Sequence, residues 1–214
     1  MKIAKGSSSW IANSLVASSA FLFLFIIFNG LETVSSLFFF LSFILYLLTL
    51  FFIVFFRDPN RKIGKGIVAC ADGKIREISN LKDKDIGECT LISTFMNVYN
   101  VHINRMPIDG IIKDIKHIHG AHLPAFKKES EKNERVIIMV DTKIGKIKIV
   151  QIAGTLARRI VPYIKKGDKL KKGDKIGIIR LGSRVDVYLP SRKIKVNVGD
   201  YVKAGVSTIA EIDD

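Results

Sequence analysis

Two apolar runs dominate the first quarter of the chain. Thr33 to Phe56 carries no charged residue and reads TVSSLFFFLSFILYLLTLFFIVFF, long and apolar enough to cross a bilayer as a helix. Gly6 to Leu31 is also uncharged. Its core, WIANSLVASSAFLFLFIIF, is strongly apolar in the back half and diluted by Ser and Asn in the front half. Asn29-Gly30 between the runs is a turn signal, so the pattern predicts a helical hairpin over 1–56. A cleaved signal peptide fits poorly, because no small-residue cleavage site follows the first run and a second apolar run comes at once. Beyond Phe56 the pattern changes. Short β-rich runs alternate with Gly, Asp and Asn: GIVACADGKI, CTLISTF, ERVIIMVDTKIGKIKIVQIAG, DKIGIIR, VDVYLP, KIKVNVGDYV. Turns recur about every eight to twelve residues, which predicts a mainly β domain over 57–214. Thr142–Gly145 reads as a hairpin turn, and so does the Gly182-Ser183 pair inside IGIIRLGSRVDVYLP. Residues 116–133 are irregular and predict a loop.

One pattern repeats. Gly167-Asp168 and Gly173 recur as Gly199-Asp200 and Gly205, each in the frame G-D-x-hydrophobic-K-x-G followed by a strand. Gly permits a turn with positive φ and Asp caps it. The duplication resembles the two hammerhead halves of biotinyl/lipoyl-type β-sandwiches, with Gly182-Ser183 lying between the copies.

Charge refines the membrane reading. The chain has 214 residues and a formal net charge of +14, and 57–214 holds 32 of its 34 Lys and Arg and 19 of its 20 Asp and Glu. Lys2 and Lys5 precede the hairpin, Arg57, Arg61, Lys62 and Lys65 follow it, and Glu32 is the one charge in the loop. By the positive-inside rule both ends are cytoplasmic. An anionic membrane surface accounts for the basic balance more simply than nucleic acid, for which no binding-module signature is present. The Ile- and Lys-rich composition, with Gln151 the single glutamine, is part of the same bias. Cys70 and Cys89 lie nineteen apart with no CxxC, which suits a reducing compartment.

Four chemistries are open to the Gly-Ser pair and its surroundings. A plain turn is the commonest use of Gly-Ser. A carrier of a covalent cofactor would need a modifiable Lys at the tip between the repeats, where Ser183 and Arg184 stand instead. A zinc hydrolase could use His117-x-His119 with His122 or His102, yet no His-x-x-x-Asp partner exists, since Met106 sits four after His102. A loop histidine cluster is more often solvated surface, and no metal is expected.

The fourth chemistry comes from a resemblance. FFRDPNR (55–61), ACADGKI (69–75), FMNVYNVHINRMPIDG (95–110), HGAHLPAF…NERV (119–136) and LGSRVDVYLP (181–190) occur in the order seen in the phosphatidylserine decarboxylase family. The chain is similar to its compact members, archaetidylserine decarboxylases included, from Phe55 to the end. The resemblance implies self-cleavage between Gly182 and Ser183, giving a β chain of 1–182 and an α chain of 183–214 whose first residue becomes a covalently bound pyruvoyl group. It implies that Asp72 assists the cleavage together with a histidine, and that His102 matches the first of two family histidines. The second falls at Arg105, which cannot act as a base and is expected to bind the lipid phosphate or carboxylate. Arg57 is expected to cap the second helix and to touch the phosphate. The implied reaction is decarboxylation of a serine phospholipid at the cell membrane, on the cytoplasmic side, with no nucleic acid partner and pairing into a homodimer. The competing expectation is a non-enzymatic, membrane-tethered adaptor or carrier with a lipoyl-like fold.

Overall fold

A computed structural model describes residues 2–121, 132–154, 159–180 and 183–212. It divides into two units, Met1–Pro59 and Asn60–Asp214.

The first unit is a pair of helices, α1 (Ser8–Ile27) and α2 (Glu32–Phe55), whose ends are tied by the short antiparallel strands β1 (Lys2–Ile3) and β2 (Arg57–Asp58). The helices are inside out. Hydroxyl residues meet at their mutual contact, beside aromatic pairs such as Phe25 and Phe39: Ser18 Oγ donates to the Ser42 carbonyl at 3.0 Å, Ser42 Oγ returns a bond to the Ser18 carbonyl at 2.9 Å, and Thr49 Oγ1 donates to Ser14 Oγ at 2.9 Å. The large apolar side chains point outward, Phe23 at 63% exposure and Phe40 at 58% among them. In water this arrangement would be costly. Where the surroundings are hydrocarbon, small hydroxyl residues belong between helices and Phe and Leu belong outside. The Ser residues of the first run therefore form the helix contact, and both helices are long and apolar enough to cross a membrane.

The second unit is mainly β. Its strands are β3 (Ile67–Val68), β4 (Gly73–Asp83), β5 (Gly87–Met96), β6 (Ile103–Arg105), β7 (Gly110–Ile118), β8 (Arg135–Thr142), β9 (Gly145–Ala153), β10 (Arg159–Pro162), β11 (Lys169–Leu170), β12 (Lys175–Arg180), β13 (Ser183–Pro190), β14 (Tyr201–Val202) and β15 (Thr208–Ala210). A curled eight-stranded antiparallel sheet runs β11-β7-β8-β9-β13-β5-β4-β14, beside a three-stranded sheet β10-β12-β6 and the pair β15-β3. One face of the long sheet carries the core, with Ile92, Ile138, Val140, Ile147, Ile149, Val187 and Leu189 all buried. The alternation along β8, VIIMV between Arg135 and Asp141, is the period-two pattern of a strand with one face inward.

The duplicated motif makes equivalent contacts in both copies. Gly167 N–H donates to the Ile112 carbonyl while Ile112 N–H donates to that of Asp168. Gly199 and Ile75 do the same with Asp200. Asp168 and Asp200 each accept a backbone N–H three residues upstream, at 2.9 and 2.8 Å. The matched glycines Gly167 and Gly199 have φ of 92° and 106°, which a side chain would strain.

Three sequence expectations change. First, β12 and β13 do not pair: β12 lies between β10 and β6, whereas β13 lies between β9 and β5. The strands before and after the Gly182-Ser183 bond therefore belong to different sheets and do not form a hairpin. Second, Asp72-Gly73, a dipeptide that by itself reads as a hairpin turn, is no hairpin turn either, since β3 pairs with β15 and Gly73 opens β4. Third, the stretch expected to be a loop from 116 begins as strand, with β7 running through His117 to Ile118. The turn at Thr142–Gly145 is as expected, with the two residues paired across the β8–β9 hairpin and Gly145 at φ 104°.

Candidate active site

Ser183 opens β13 in the middle of the eight-stranded sheet, opposite Met96 of β5 on one side and Ala153 of β9 on the other. It is fully buried. Its Oγ donates to Met96 Sδ at 3.2 Å. A thioether is a weak acceptor, so the hydroxyl can leave it at little cost. Gly182 and His122, both singled out from sequence, lie outside the described residues.

Behind Ser183 stands a polar cluster that sequence reasoning did not find. Asn104 Nδ2 points to the same Met96 sulfur at 3.6 Å, and Asn104 Oδ1 accepts from Gln151 Nε2 at 2.7 Å. Asn104 and Gln151 are both fully buried, and the Gln151 carboxamide oxygen has no hydrogen-bond partner among the described residues. The available signal was a lone glutamine inside an Ile- and Val-rich strand. Close by, Asn133 Nδ2 donates to the Ala153 carbonyl at 2.8 Å and Ala153 N–H donates to that of Glu134 at 2.9 Å, so the NER stretch is fixed against the strand beside Ser183.

Asp72 is brought to the Met96 end of the site by its neighbour. Gly73 packs so tightly against β5 that an added Cβ would stand 2.0 Å from the Phe95 carbonyl oxygen and 3.3 Å from the Met96 α-carbon. Only glycine permits that approach. The Asp72 carboxylate takes both prongs of the Arg61 guanidinium, at 2.5 and 2.7 Å, and the Ala204 N–H at 2.8 Å. Arg61, from the FFRDPNR motif, is thus the unanticipated partner of the expected aspartate, and it also donates to the Ala204 carbonyl at 2.8 Å.

His102 precedes β6 and is fully buried. Its Nδ1 lies 2.8 Å from the Asn100 carbonyl oxygen. A carbonyl can only accept, so Nδ1 carries a proton and Nε2 is the nitrogen left for proton transfer. Arg105, in the same short strand, is buried and donates through Nη1 to the Gly173 carbonyl at 3.0 Å, while its N–H bonds the Cys70 carbonyl at 2.8 Å. Arg57 belongs to the helical unit and donates to the Val54 carbonyl at 2.7 Å, closing the end of α2.

Two further groups expected from sequence have definite surroundings. His117 and His119 project from one side of the chain and stack with ring centroids 4.9 Å apart. His117 Nε2 lies 2.8 Å from Glu134 Oε1, and the donor atoms of the three residues fall within 4.8 Å of one another, a set that could hold a metal ion. Cys70 is buried in the core, and burial pushes its thiol up to about 12 against the smaller opposing pull of the Arg105 N–H, so it stays protonated and inert.

Comparison with known proteins adds to this geometry. The family model described as phosphatidylserine decarboxylase matches residues 48–210. A phosphatidylserine decarboxylase proenzyme of Streptomyces avermitilis is 48% identical over 157 residues, spanning 72% of this chain and 71% of the relative. A protein of Methanococcoides burtonii named "Putative archaetidylserine decarboxylase proenzyme" is 42% identical over 213 residues, covering 98% of this chain and 96% of its own length. A Methanosarcina barkeri protein of the same name is 40% identical over 214 residues. The chain therefore belongs to the phosphatidylserine decarboxylase family, a family of carboxy-lyases.

Proposed function

We propose that this chain is a proenzyme that cuts itself between Gly182 and Ser183 and then decarboxylates a membrane serine phospholipid, phosphatidylserine or archaetidylserine, to the ethanolamine lipid. The observation that carries the reading is the fully buried Ser183 at the head of a central strand, in a family whose relatives are named as proenzymes. A serine held for surface turning would have no reason to be enclosed there.

In the cleavage, Ser183 Oγ adds to the Gly182 carbonyl carbon, the C–N bond breaks and an ester forms. Glycine at 182 leaves the approach unhindered. Loss of the α-proton and of the Gly182 carboxylate by β-elimination then leaves dehydroalanine at 183, and water converts it to a pyruvoyl group with release of ammonia. His102, through Nε2, serves as the base that takes the hydroxyl proton, and later returns a proton to the decarboxylated carbon. Asp72 acts as charge partner and orienter in the cleavage, itself fixed by Arg61.

A pyruvoyl ketone supplies what no standard side chain offers, an electrophilic carbonyl that takes up the substrate amine and draws off electrons as CO₂ leaves. The surroundings of Ser183 fit such a group. They are enclosed against water, and the Ser183 hydroxyl donates to a sulfur, a weak acceptor that loses little when the hydroxyl is gone. Arg105 and Arg57 are the cations assigned to the lipid carboxylate and phosphate. No metal is assigned a role.

The same proposal covers the architecture: a helical hairpin over 1–56 that anchors the chain in the cell membrane, and a catalytic β domain over 57–214 on the cytoplasmic side, built as a lipoyl-like barrel-sandwich hybrid and working as a homodimer. The outward Phe and Leu side chains of α1 and α2 and the repeated Gly-Asp turns support it. The test is the intact mass of the purified protein under denaturing conditions. The expected result is two chains, the smaller one spanning 183–214 with a pyruvoyl N-terminus, and a single uncut chain in Ser183→Ala. A wild-type chain that stays whole after long incubation with membranes would overturn the proposal.

A further inference from the structure

Gln151 presents a buried polar atom with nothing to bind. Its carboxamide oxygen is shielded from solvent and has no hydrogen-bond partner among the described residues. A buried acceptor left unsatisfied is destabilising, and native interiors contain few of them. Here the arrangement is maintained by specific packing. Gln151 Nε2 is tied to Asn104 Oδ1 at 2.7 Å, and Asn104 Nδ2 is turned to Met96 Sδ. Gly177 of β12 leaves room for the amide head, since a Cβ there would stand 3.2 Å from Gln151 Nε2 and 2.8 Å from the Val161 carbonyl oxygen. The amide is therefore held by one end with the other end free.

The sheet register says on which face, and beside which residue, that side chain lies. Gln151 pairs with Val185, and Ala153 pairs with Ser183. Opposite residues of an antiparallel pair share a face, and residues two apart along a strand do too. Gln151 is thus the diagonal neighbour of Ser183 on one face of the sheet. Asn104, which holds Gln151, and Ser183 converge on the same sulfur. An unpaired acceptor on the side chain diagonal to residue 183 can take a ligand with N–H or O–H groups.

We propose that the Gln151 carboxamide oxygen is the binding subsite for the amine of the substrate headgroup, with Asn104 as the residue that positions it. The inference rests on residue 183 being the reaction centre. A neutral amide oxygen suits the task. It accepts from an ammonium or an amine alike, without adding the negative charge by which a carboxylate would hold the nitrogen protonated and unreactive.

The experiment is binding selectivity in wild type and Gln151→Met, a substitution of nearly equal length that removes the acceptor. Vesicles carrying an ethanolamine phospholipid are compared with vesicles carrying the matching ethanol phospholipid, which lacks the nitrogen. Intact mass is recorded for every protein. Cleaved wild type is expected to prefer the ethanolamine lipid. Cleaved Gln151→Met is expected to lose about tenfold or more of that preference, the range for a hydrogen bond to a charged group, with its affinity for the ethanol lipid unchanged. Gln151→Glu, which keeps an oxygen at the same reach, should retain the preference. An undiminished preference in cleaved Gln151→Met would overturn the subsite while leaving the proposed function intact. If Gln151→Met and Gln151→Glu both stay uncut while wild type is cut, the amide serves processing and the subsite is likewise overturned. An uncut wild type removes the reaction centre, and the subsite falls with it.

Discussion

Asp72→Asn separates the structural from the chemical part of the candidate site. Asp72 and Arg61 form a two-pronged ion pair in which the side chains are 10% and 9% exposed. A pair this enclosed contributes little net stability relative to apolar residues of the same shape, but losing one member is costly because the other charge stays buried. The loss is about 3–5 kcal/mol in such cases. In Asp72→Asn the new amide can still accept the Ala204 N–H, yet its NH₂ or its single oxygen must face the guanidinium, so the shape survives and the charge compensation does not. For a chain of this size each kcal/mol corresponds to about 2–4 °C in Tm, which gives a fall of about 6–20 °C.

The measurement is made in the Ser183→Ala background, so that no chain is cut and all variants are compared as one polypeptide. Urea unfolding in mild detergent at pH 7, followed by circular dichroism, gives the free energies. Arg61→Leu should cost a similar amount, and the double variant should cost clearly less than the two together, since neither charge is then stranded. A loss under about 1 kcal/mol, the range for solvent-exposed pairs, or strict additivity, would refute the argument that burial sets the size of the effect. With Ser183 present, any slowing of cleavage in Asp72→Asn beyond that in Arg61→Leu measures what the carboxylate does in the chemistry.

Three further outcomes are expected. Gly73→Ala would drive a methyl group into the Phe95 carbonyl and at φ 155° gains nothing in return; a loss of about 3 kcal/mol in urea unfolding is expected, and an unchanged midpoint would refute the close-packing argument. Cys70 should resist a water-soluble thiol reagent at pH 8 and react fully in guanidinium, because burial holds its thiol near 12; modification of the native protein at the free-thiol rate would be the contrary result. Burial by itself would raise Asp83, but hydrogen bonds from Lys148 and from the Asp85 and Ile86 N–H groups outweigh it and hold the carboxyl below its usual range. The folded value therefore lies under the unfolded one, so the stabilisation is complete above about pH 4 and is lost as pH falls through the folded value; Lys148→Met should flatten that acid limb in urea midpoints, and an unaltered limb would place the loss elsewhere.

How much was legible in sequence depended on whether the cause was local. The two helices could be read because each residue of a lipid-facing segment reports hydrophobicity on its own. The Ser residues of the first run looked like a weakness, since only the folded pair shows Ser14 and Ser18 meeting Thr49 and Ser42. The Gly-Asp turns were readable because positive φ at Gly167 and Gly199 is a demand of the turn itself. The Gly182-Ser183 segment looked like a hairpin because a turn residue says that the chain bends, not which sheet the next strand joins. Gly73 likewise looked like a turn residue, whereas its reason is the Phe95 carbonyl pressed against it. Asn104 carried no legible signal and Gln151 only that of a lone glutamine in an apolar strand, because their meaning lies in a contact across 47 residues of sequence.

The change of sheet between β12 and β13 bears on what a cut at 182–183 would do. A cut in a hairpin would loosen two strands that rely on each other. Here β12 draws its hydrogen bonds from β10 and β6, and β13 draws its own from β5 and β9, so neither depends on the link between them. The segment 183–212 contributes β13 to the centre of the long sheet, β14 to its edge beside β4, and β15 to the pair with β3. It is woven through the domain at three places. Val185, Val187 and Leu189 sit in the common core. Cleavage would release two termini next to Ser183 without removing a single one of these contacts. The site would gain the freedom that new chain ends bring, at the one point where chemistry is proposed, while the sheet that aligns Ser183 with Met96, Ala153 and Gln151 stays as it was.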